Sequence, residues 1–277
     1  MIGITIALAA AFSWGAGDFC GGFASRKISQ FQVLLLTTSS SLLLLFIFTI
    51  AGRENFPSVR NIVIAVIAGL SGSLGLAALY KGLSLGNSAL VSPVAGVIGA
   101  IIPTLSGLFI EGLPSLVVLT GFALSFAGIW LVTNSKVRSI GIAQDGLWLA
   151  LLAGIGFGGF LALIAKIEGD YIFAPLVFSK LASLILAIIL IGARQLRLPN
   201  LSDSPIAFLS GFLDASGNIL YLFATQYTRL DIAALLSSLY PAGTVLLSGL
   251  VLKEKLSIRQ WIGVSTCIAG IMLITSG

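Results

Sequence analysis

The sequence predicts an all-α integral membrane fold in which ten transmembrane helices form two inverted repeats of five helices. Two observations lead to the membrane class: 57% of the residues are apolar while only 9% are charged, and the mean hydropathy is +1.10. Soluble domains carry about 25% charged residues, so this chain lacks the polar surface that water requires. A third observation, an internal duplication, leads to the arrangement as repeats.

The apolar residues are grouped in ten runs that are each long enough to cross a bilayer. A hydrocarbon core about 30 Å thick takes roughly 20 residues of helix. Charged residues and glycines separate the runs, for example Arg53, Glu54 and Gly86. Because most connections are short, successive helices must run antiparallel. The predicted spans are 3–23, 32–51, 61–82, 88–109, 114–134, 145–167, 172–193, 204–227, 231–251 and 257–275.

The first apolar run predicts a transmembrane helix rather than a secretory signal. No Lys or Arg precedes this run, which extends from about Ile2 to Phe23. A secretory signal has a basic start and an apolar segment of roughly 7–15 residues. We therefore expect this segment to stay in the membrane as the first span.

An internal repeat extends along the chain at a single offset. Gly107 and Gly249 stand in matching Leu-Ser-Gly-Leu strings that are 142 residues apart. Matches between leucines carry little weight in an apolar sequence, whereas matches between glycines or serines carry more. The same offset joins Ala11 to Ala153, Gly17 to Gly159, Phe31 to Phe173, Ser41 to Ser183, Gly69 to Gly211, Ser115 to Ser257, Gly121 to Gly263 and Gly128 to Gly270. The sequence therefore predicts a first repeat at 1–135 and a second at 145–277.

Each predicted repeat contains five spans, which is an odd number. The second repeat therefore enters the membrane from the side opposite to the first. Inverted repeats are typical of secondary transporters, in which the solute site lies near the midplane where the halves meet. A duplicated scaffold that transports nothing is the alternative.

The residue content excludes several classes of chemistry. The chain has no histidine, which is the commonest metal ligand and general base, and Cys20 and Cys267 lie in apolar runs without metal-ligand spacing. The net charge of +5 comes from Lys and Arg between the apolar runs, which indicates membrane orientation rather than nucleic-acid binding. The nucleotide-binding pattern Gly-x-x-x-x-Gly-Lys-Ser/Thr does not occur. We therefore expect no metal or other cofactor, and any energy source must be a gradient.

Several motifs follow the pattern of a known family. They are Tyr240-Pro241, Leu247-Ser248-Gly249, Lys253-Glu254-Lys255-Leu256-Ser257 and the segment 263–270 in the second repeat, with Trp14-Gly15, Pro93 and Pro103 in the first. On these residues the chain resembles the drug/metabolite transporter superfamily, and within it the EamA-type exporters. The resemblance implies export of small metabolites through a cavity lined by the first, third and fourth helices and their second-half counterparts. Asp18 departs from the pattern, because many family members are neutral there.

Three ionisable residues stand within the predicted spans: Asp18, Lys180 and Asp214. A charged side chain at the centre of a helix in lipid costs about 2.5–3.5 kcal/mol, so each needs a compensating interaction. We expect Lys180 and Asp214 to face the protein interior, either as a direct pair or around a wet cavity; a purely structural ion pair is the alternative. Asp18 is nearer the end of its helix. Its side chain could therefore either line the site or extend to the membrane–water interface. Asp18 and Asp214 are the candidates for a coupling proton, although a uniporter is equally allowed.

The eighth predicted span carries a polar stripe. Asp214, Asn218, Tyr221 and Thr225 recur at the spacing of one helix face. Lipid does not tolerate such a face, so we expect it to line the cavity. Hydrogen bonds between helices are the alternative.

Proline interrupts the two spans that correspond to each other in the repeats. Pro93 and Pro103 lie in the fourth span and Pro241 in the ninth. Proline removes a hydrogen bond and kinks a helix, and paired interruptions indicate a transporter site. We predict that these prolines kink or gate the helices and that the Tyr240 hydroxyl contacts the solute; curved packing alone is the alternative.

The predicted substrate site combines charged and aromatic side chains. Trp14 is expected to stack on the solute, with a groove-filling role as the alternative. The predicted substrate-binding residues are Trp14, Asp18, Lys180, Asp214, Asn218, Tyr221 and Tyr240. Such a mixed site suits a zwitterion such as an amino acid, carried by alternating access. An intramembrane lipid-modifying enzyme and a non-transporting scaffold are the alternatives; scattered acids and the lack of histidine argue against an enzyme.

The basic residues predict an orientation in the membrane. Most Lys and Arg lie beside the odd-numbered loops, which the positive-inside rule places in the cytoplasm, with both termini outside. The family resemblance implies the opposite, with both termini inside. We expect a multi-pass protein of the cell membrane (the inner membrane in a bacterium), in contact with lipid and a small-molecule solute, and present as a monomer or homodimer.

Overall fold

The computed structural model describes residues 2–111, 115–133, 140–168, 173–228, 236–237 and 239–276. Side chains are described in these ranges except at 103–111, 132–133, 140–143, 225 and 275. Ten α-helices lie in the described part of the chain, and no strand is found there. They are α1 (Ile2–Ala24), α2 (Gln30–Ala51), α3 (Val59–Ser84), α4 (Ser88–Glu111), α5 (Leu116–Thr133), α6 (Ile140–Ile164), α7 (Ala174–Ala193), α8 (Pro205–Tyr227), α9 (Tyr240–Val251) and α10 (Ile258–Ser276).

Serine side chains mark the starts of three helices. Ser29 precedes α2, and its backbone N–H donates to the Gln32 side chain at 2.9 Å, which completes a capping box. Ser58 caps α3 and Ser204 caps α8. The first N–H groups of a helix have no partner within the helix, so such hydroxyls stabilise the start. The helices therefore begin where polar residues separate the apolar runs.

Six helices are long and apolar enough to cross a membrane within the described residues. They are α1, α2, α3, α7, the segment Gln144–Ile164 of α6 and the segment Pro205–Ala224 of α8. Large side chains on their outer faces, such as Phe12, Ile50 and Ile189, are exposed, as expected for surfaces that meet lipid. Shorter apolar helices cover Ser88–Ile102, Leu116–Leu131, Tyr240–Val251 and Ile258–Ile274. The chain is therefore a multi-pass membrane protein, and its four further spans stay a prediction.

Contacts between helices follow the offset found in the sequence. Ser41 Oγ on α2 lies 3.0 Å from the carbonyl oxygen of Gly211 on α8, and Ser183 Oγ on α7 lies 3.3 Å from that of Gly69 on α3. The second contact is the first with the two halves exchanged, because both residue pairs are 142 positions apart. Likewise α1 packs on α8 as α6 packs on α3, and α5 packs on α10, its own counterpart. A pseudo-twofold axis therefore relates the two halves.

Glycine brings backbones into contact at two related positions. Gly69 on α3 lies against the backbone of Ser179 on α7, and Gly211 on α8 lies against that of Thr37 on α2. A Cβ at either glycine would overlap a carbonyl oxygen. Small residues allow such close helix approach inside a membrane, where packing rather than the hydrophobic effect holds helices together. Both sites are needed for the α3–α7 and α2–α8 contacts.

The Glu254 carboxylate joins three segments at one end of the protein. Glu254 follows α9, and it accepts from Arg26 after α1 at 2.9 Å. It also accepts from the backbone N–H and the hydroxyl of Ser88, the first residue of α4, at 3.2 and 2.7 Å. The Glu254 side chain is only 11% exposed. A loop of the second half therefore caps a helix of the first half, where a negative charge is favourable.

Replacing Glu254 with Gln is expected to lower the free energy of unfolding by about 1–2 kcal/mol, because charge-assisted hydrogen bonds and a helix cap are weakened. The apparent melting temperature of the purified protein in detergent measures this loss. Glu168→Gln is the matched control, since the pair between Glu168 and Arg60 is 71% and 64% exposed. Exposed pairs contribute little. Equal shifts for the two variants would contradict the role assigned to Glu254.

Candidate functional site

A cavity of about 180 Å³ lies between the two halves, with walls from both. Its surface is mostly apolar and includes Leu34, Leu76 and Phe157. Six of the seven predicted substrate-binding residues line it, namely Trp14, Asp18, Lys180, Asp214, Asn218 and Tyr240. The cavity thus has a few polar groups in an apolar wall, which is the usual character of a small-molecule site.

Lys180 and Asp214 form a direct ion pair at the cavity. Lys180 Nζ on α7 donates to Asp214 Oδ2 on α8 at 2.6 Å, and Ser41 Oγ on α2 donates to the same oxygen at 2.7 Å. The two charged side chains are 15% and 23% exposed. Asn218, one turn later on α8, donates through Nδ2 to the Asp214 carbonyl at 2.9 Å. Pairing and cavity lining, which the sequence leaves as alternatives, therefore occur together.

Hydrogen bonds between α1 and α8 place Trp14 and Asp18 at the cavity. Ser13 Oγ donates to the Leu213 carbonyl on α8 at 2.8 Å. Ser210 Oγ on α8 donates to the Gly17 carbonyl at 2.7 Å. These bonds fix the rotation of α1 against α8. Trp14 and Asp18 are four residues apart, so they share one helix face, and that face borders the cavity.

Aromatic rings form one wall around Trp14. The ring centroids of Trp14 and Tyr221 are 5.8 Å apart with an interplanar angle of 38°. Tyr240 meets Trp14 edge to face, at 6.5 Å and 83°. The indole packs against Gly217, where an added Cβ would overlap the ring. Tyr221 therefore supports Trp14 from behind, whereas Tyr240 itself lines the cavity.

The two prolines whose side chains are described, Pro93 and Pro241, stand at different places in their helices. Pro241 stands in the first turn of α9, where its missing N–H costs no helical hydrogen bond, so it begins the helix rather than bending its middle. The Pro241 ring lies beside Gly96 of α4, so the two proline-containing helices cross there. Pro93 is buried within α4, which stays helical through it. The side chain of Pro103 lies outside the described residues, as does segment 231–235 of the predicted ninth span.

Two hydroxyl residues of the predicted ninth span, Ser237 and Thr244, join this segment to α1. Thr244 Oγ1 donates to the Gly15 carbonyl of α1 at 3.1 Å, and Ser237 Oγ donates to the Ala7 carbonyl at 3.4 Å. Both hydroxyls are buried. Of the stripe on α8, Asp214 and Asn218 border the cavity, and the side chain of Thr225 lies outside the described residues.

Sequence reasoning misses several uncharged residues of the cavity wall. Thr38, Gly72 and Phe160 line the cavity. They stand 142 positions from Lys180, Asp214 and Asp18 respectively. The offset itself was the signal that points to them. The two halves therefore supply equivalent wall positions, but the position equivalent to each charged residue is occupied by an uncharged one.

The described residues contain no group of three or more His, Cys, Asp or Glu side chains placed to hold a metal ion. The charged groups of the cavity are instead one ion pair and one further carboxylate. An arrangement of this kind can bind a polar solute and hold it against aromatic rings.

A multi-pass helical protein with two related halves and a cavity between them has the architecture of a membrane carrier. The model of the EamA-like transporter family matches residues 1–134 and 144–276. The chain belongs to the EamA-like transporter family, which it matches twice. This confirms the resemblance drawn from the sequence motifs. The protein is therefore a multi-pass membrane protein of a transporter family.

Two relatives and one solved structure are similar to the chain. The uncharacterized transporter YdfC of Bacillus subtilis is 32% identical over 136 residues, 46% of this chain and 42% of YdfC, so the match spans less than half of that relative. The uncharacterized protein MJ1333.1 of Methanocaldococcus jannaschii is 32% identical over 132 residues, 47% of this chain and 93% of that protein. A solved crystal structure superposes with a TM-score of 0.64 at 14% identity over 98% of this chain and 95% of that one, which supports the fold alone.

Proposed function

We propose that the protein is a secondary transporter of the cell membrane that exports amino acids or related amphipathic solutes by alternating access. In this proposal all ten helices cross the membrane, and the solute binds in the cavity between the halves. The observation that carries the proposal is the cavity itself, which combines Lys180, Asp214 and Asp18 with aromatic and aliphatic walls. Amphipathic solutes have the matching combination of polar and apolar surface.

The reciprocal contacts support alternating access. The Ser41–Gly211 and Ser183–Gly69 contacts are equivalent under exchange of the halves. An arrangement that opens toward one membrane face therefore has a counterpart that opens toward the other, built from the corresponding contacts. Rocking of the halves around the cavity would expose the solute to each side in turn.

Counterflow in proteoliposomes tests the proposal. Vesicles that contain the full chain are loaded with an unlabelled solute from a panel of amino acids, their methyl esters and the corresponding amines, and a labelled trace is added outside. A carrier gives a transient accumulation that empty liposomes lack. A pH-sensitive dye trapped in the vesicles would report protons that move during solute exchange. Proton movement coupled to the solute is expected for proton antiport and not for uniport. Altered lipid in the same vesicles would favour an enzyme, and complete inertness would favour a scaffold.

Replacing Trp14 with Ala is expected to slow counterflow about tenfold, because a lost aromatic contact is worth about 1 kcal/mol or somewhat more. The initial rate of exchange at low solute concentration measures the effect. Trp148→Ala is the matched control, since Trp148 is 62% exposed on the outer face of α6 and should leave the rate within twofold of the wild type. A Trp14→Ala variant that exchanges at the wild-type rate would remove Trp14 from the proposed site.

A further inference from the structure

The charges of the cavity do not balance. Lys180 and Asp214 neutralise each other at 2.6 Å, and Asp214 also accepts from Ser41 at 2.7 Å. Asp18 is the third ionisable residue of the cavity wall. Among the residues that the structure describes, no hydrogen bond or ion pair reaches its carboxylate. With Asp18 ionised, the lining therefore carries one net negative charge.

The surroundings of Asp18 disfavour a second anion. Asp18 and Asp214 both line the cavity, so a further carboxylate would be a third anion in one wall. Lys180 is the one cation among the cavity-lining residues in the described part of the chain. A solute carboxylate at Lys180 would either stand beside the Asp214 carboxylate, giving two anions on one cation, or displace it and leave a buried carboxylate without its cation. A free ammonium group meets no such obstacle, because Asp18 has no competing partner.

Aromatic faces beside Asp18 also suit a cation. Trp14 lies one turn before Asp18 on α1 and on the same face, and Tyr240 stands edge to face with Trp14 at 6.5 Å. Aromatic faces attract ammonium groups, most strongly where water is excluded. The carboxylate and the two rings therefore form a cluster on one side of the cavity that can hold a positively charged headgroup.

Another part of the cavity wall is apolar. Phe160 is the counterpart of Asp18 under the 142-residue offset, so Phe160 holds in the second half the wall position that Asp18 holds in the first. Phe157 and Leu161 lie beside it in the wall. The cavity wall therefore offers both an anion and an apolar surface, which matches a solute that has a cationic head and an apolar body.

We propose that the cavity selects amphipathic amines without a free carboxylate, with the ammonium group on Asp18 against Trp14 and Tyr240 and the apolar body on Phe157 and Phe160. This inference rests on the proposed transport function and narrows its substrate class. It differs from the zwitterion that the sequence alone favours, because Asp214 already neutralises the charge of Lys180.

Three matched solutes test the selection: phenethylamine, L-phenylalanine methyl ester and L-phenylalanine. The first two are cations at neutral pH, whereas the third has the same ring with an added carboxylate. Their affinities for the purified full chain are measured by thermal shift in detergent, and their potency is measured as inhibition of counterflow. We expect the two cations to bind at least tenfold more tightly than L-phenylalanine. This comparison uses the wild-type protein alone and does not depend on the folding of any variant.

Asp18→Asn tests the assigned residue. The variant is expected to lose at least tenfold in affinity for phenethylamine and thereby most of the preference over L-phenylalanine. Asp145→Asn, at an exposed position near the start of α6, is the matched control and should bind phenethylamine as the wild type does. An Asp18→Asn protein with unchanged amine affinity would overturn the assignment.

The outcomes separate this inference from the proposed function. Equal or tighter binding of L-phenylalanine than of phenethylamine, together with counterflow of L-phenylalanine, would overturn amine selection and support amino-acid transport. Tight binding of the amines without counterflow of any solute would support the site and contradict transport.

Discussion

Replacing Lys180 with Met is expected to abolish counterflow and to lower the free energy of unfolding by about 3 kcal/mol. Lys180 Nζ lies 2.6 Å from Asp214 Oδ2, and the two side chains are 15% and 23% exposed. Removing one partner of a buried pair leaves an uncompensated charge and costs about 3–5 kcal/mol; the remaining bond from Ser41 to Asp214 favours the lower end. The rate of exchange and the apparent melting temperature in detergent measure the two effects.

The double variant Lys180→Met with Asp214→Asn provides the control. Removing both charges leaves no unpaired ion, so this variant should recover a melting temperature closer to the wild type than either single variant does. Transport should stay impaired if the pair shapes the site. Normal transport by both single variants would show that the pair is dispensable, and additive losses in the double variant would show that the two residues do not interact.

Alanine at Gly69 or at Gly211 is expected to destabilise the protein by about 3 kcal/mol, or to prevent its accumulation in the membrane. The new Cβ would overlap the Ser179 carbonyl at Gly69 and the Thr37 carbonyl at Gly211. Overpacking costs about 1–3 kcal/mol, and here a backbone rather than a flexible side chain would have to move. Yield of monodisperse protein and its melting temperature measure the loss.

Gly192→Ala is the matched control for these two variants. Gly192 lies near the end of α7, and no atom outside its own helix segment lies within 4 Å of a Cβ built there. Alanine is the better helix former by about 1 kcal/mol, so this variant should be as stable as the wild type or slightly more stable. Because Gly69 and Gly211 are related by the pseudo-twofold axis, their losses should be similar. A large loss at only one of them would contradict the equivalence of the two interfaces.

Much of the fold follows from the sequence because lipid leaves few choices. A backbone in hydrocarbon must satisfy its own hydrogen bonds, so each apolar run of about 20 residues predicts a helix. The serine pair Ser41 and Ser183 and the glycine pair Gly69 and Gly211 carry the offset in the sequence, and the structure places them in equivalent contacts. The duplication is therefore visible at residues that must be small or polar to make a contact between helices. It is not visible at leucines that face lipid.

The site is less predictable because it depends on how each helix is rotated. The cost of an isolated charge in lipid predicts that Lys180 and Asp214 find partners, but not that Ser41 is one of them. Asp18 could point to the interface or to the cavity, and bonds from the Ser13 and Ser210 hydroxyls decide for the cavity. These bonds join residues about 200 positions apart in the chain. The spacing of residues within one helix therefore does not predict them.

Uncharged polar residues show the same limit. Thr244 on α9 and Asn218 on α8 both belong to polar stripes in the sequence. In the structure Thr244 bonds to a backbone carbonyl of α1, whereas Asn218 borders the cavity. A side chain bonded to a neighbouring helix and one that borders the cavity are both polar residues within apolar helices, so only the packing distinguishes them.

The cap that Glu254 places on α4 has a consequence for how the carrier works. The positions equivalent to Arg26 and Glu254 in the other half are Glu168 and Gly112, which cannot form the same ion pair. Glu54, after α2, instead caps the start of α7, where its carboxylate accepts from the backbone N–H groups of Phe173 and Ala174 at 2.7–3.0 Å. The carboxylate caps of the two halves therefore come from positions that the offset does not relate, and under the proposed alternating access we expect the two conformations to differ in free energy. The solute concentration for half-maximal exchange should then differ between the two faces of the membrane.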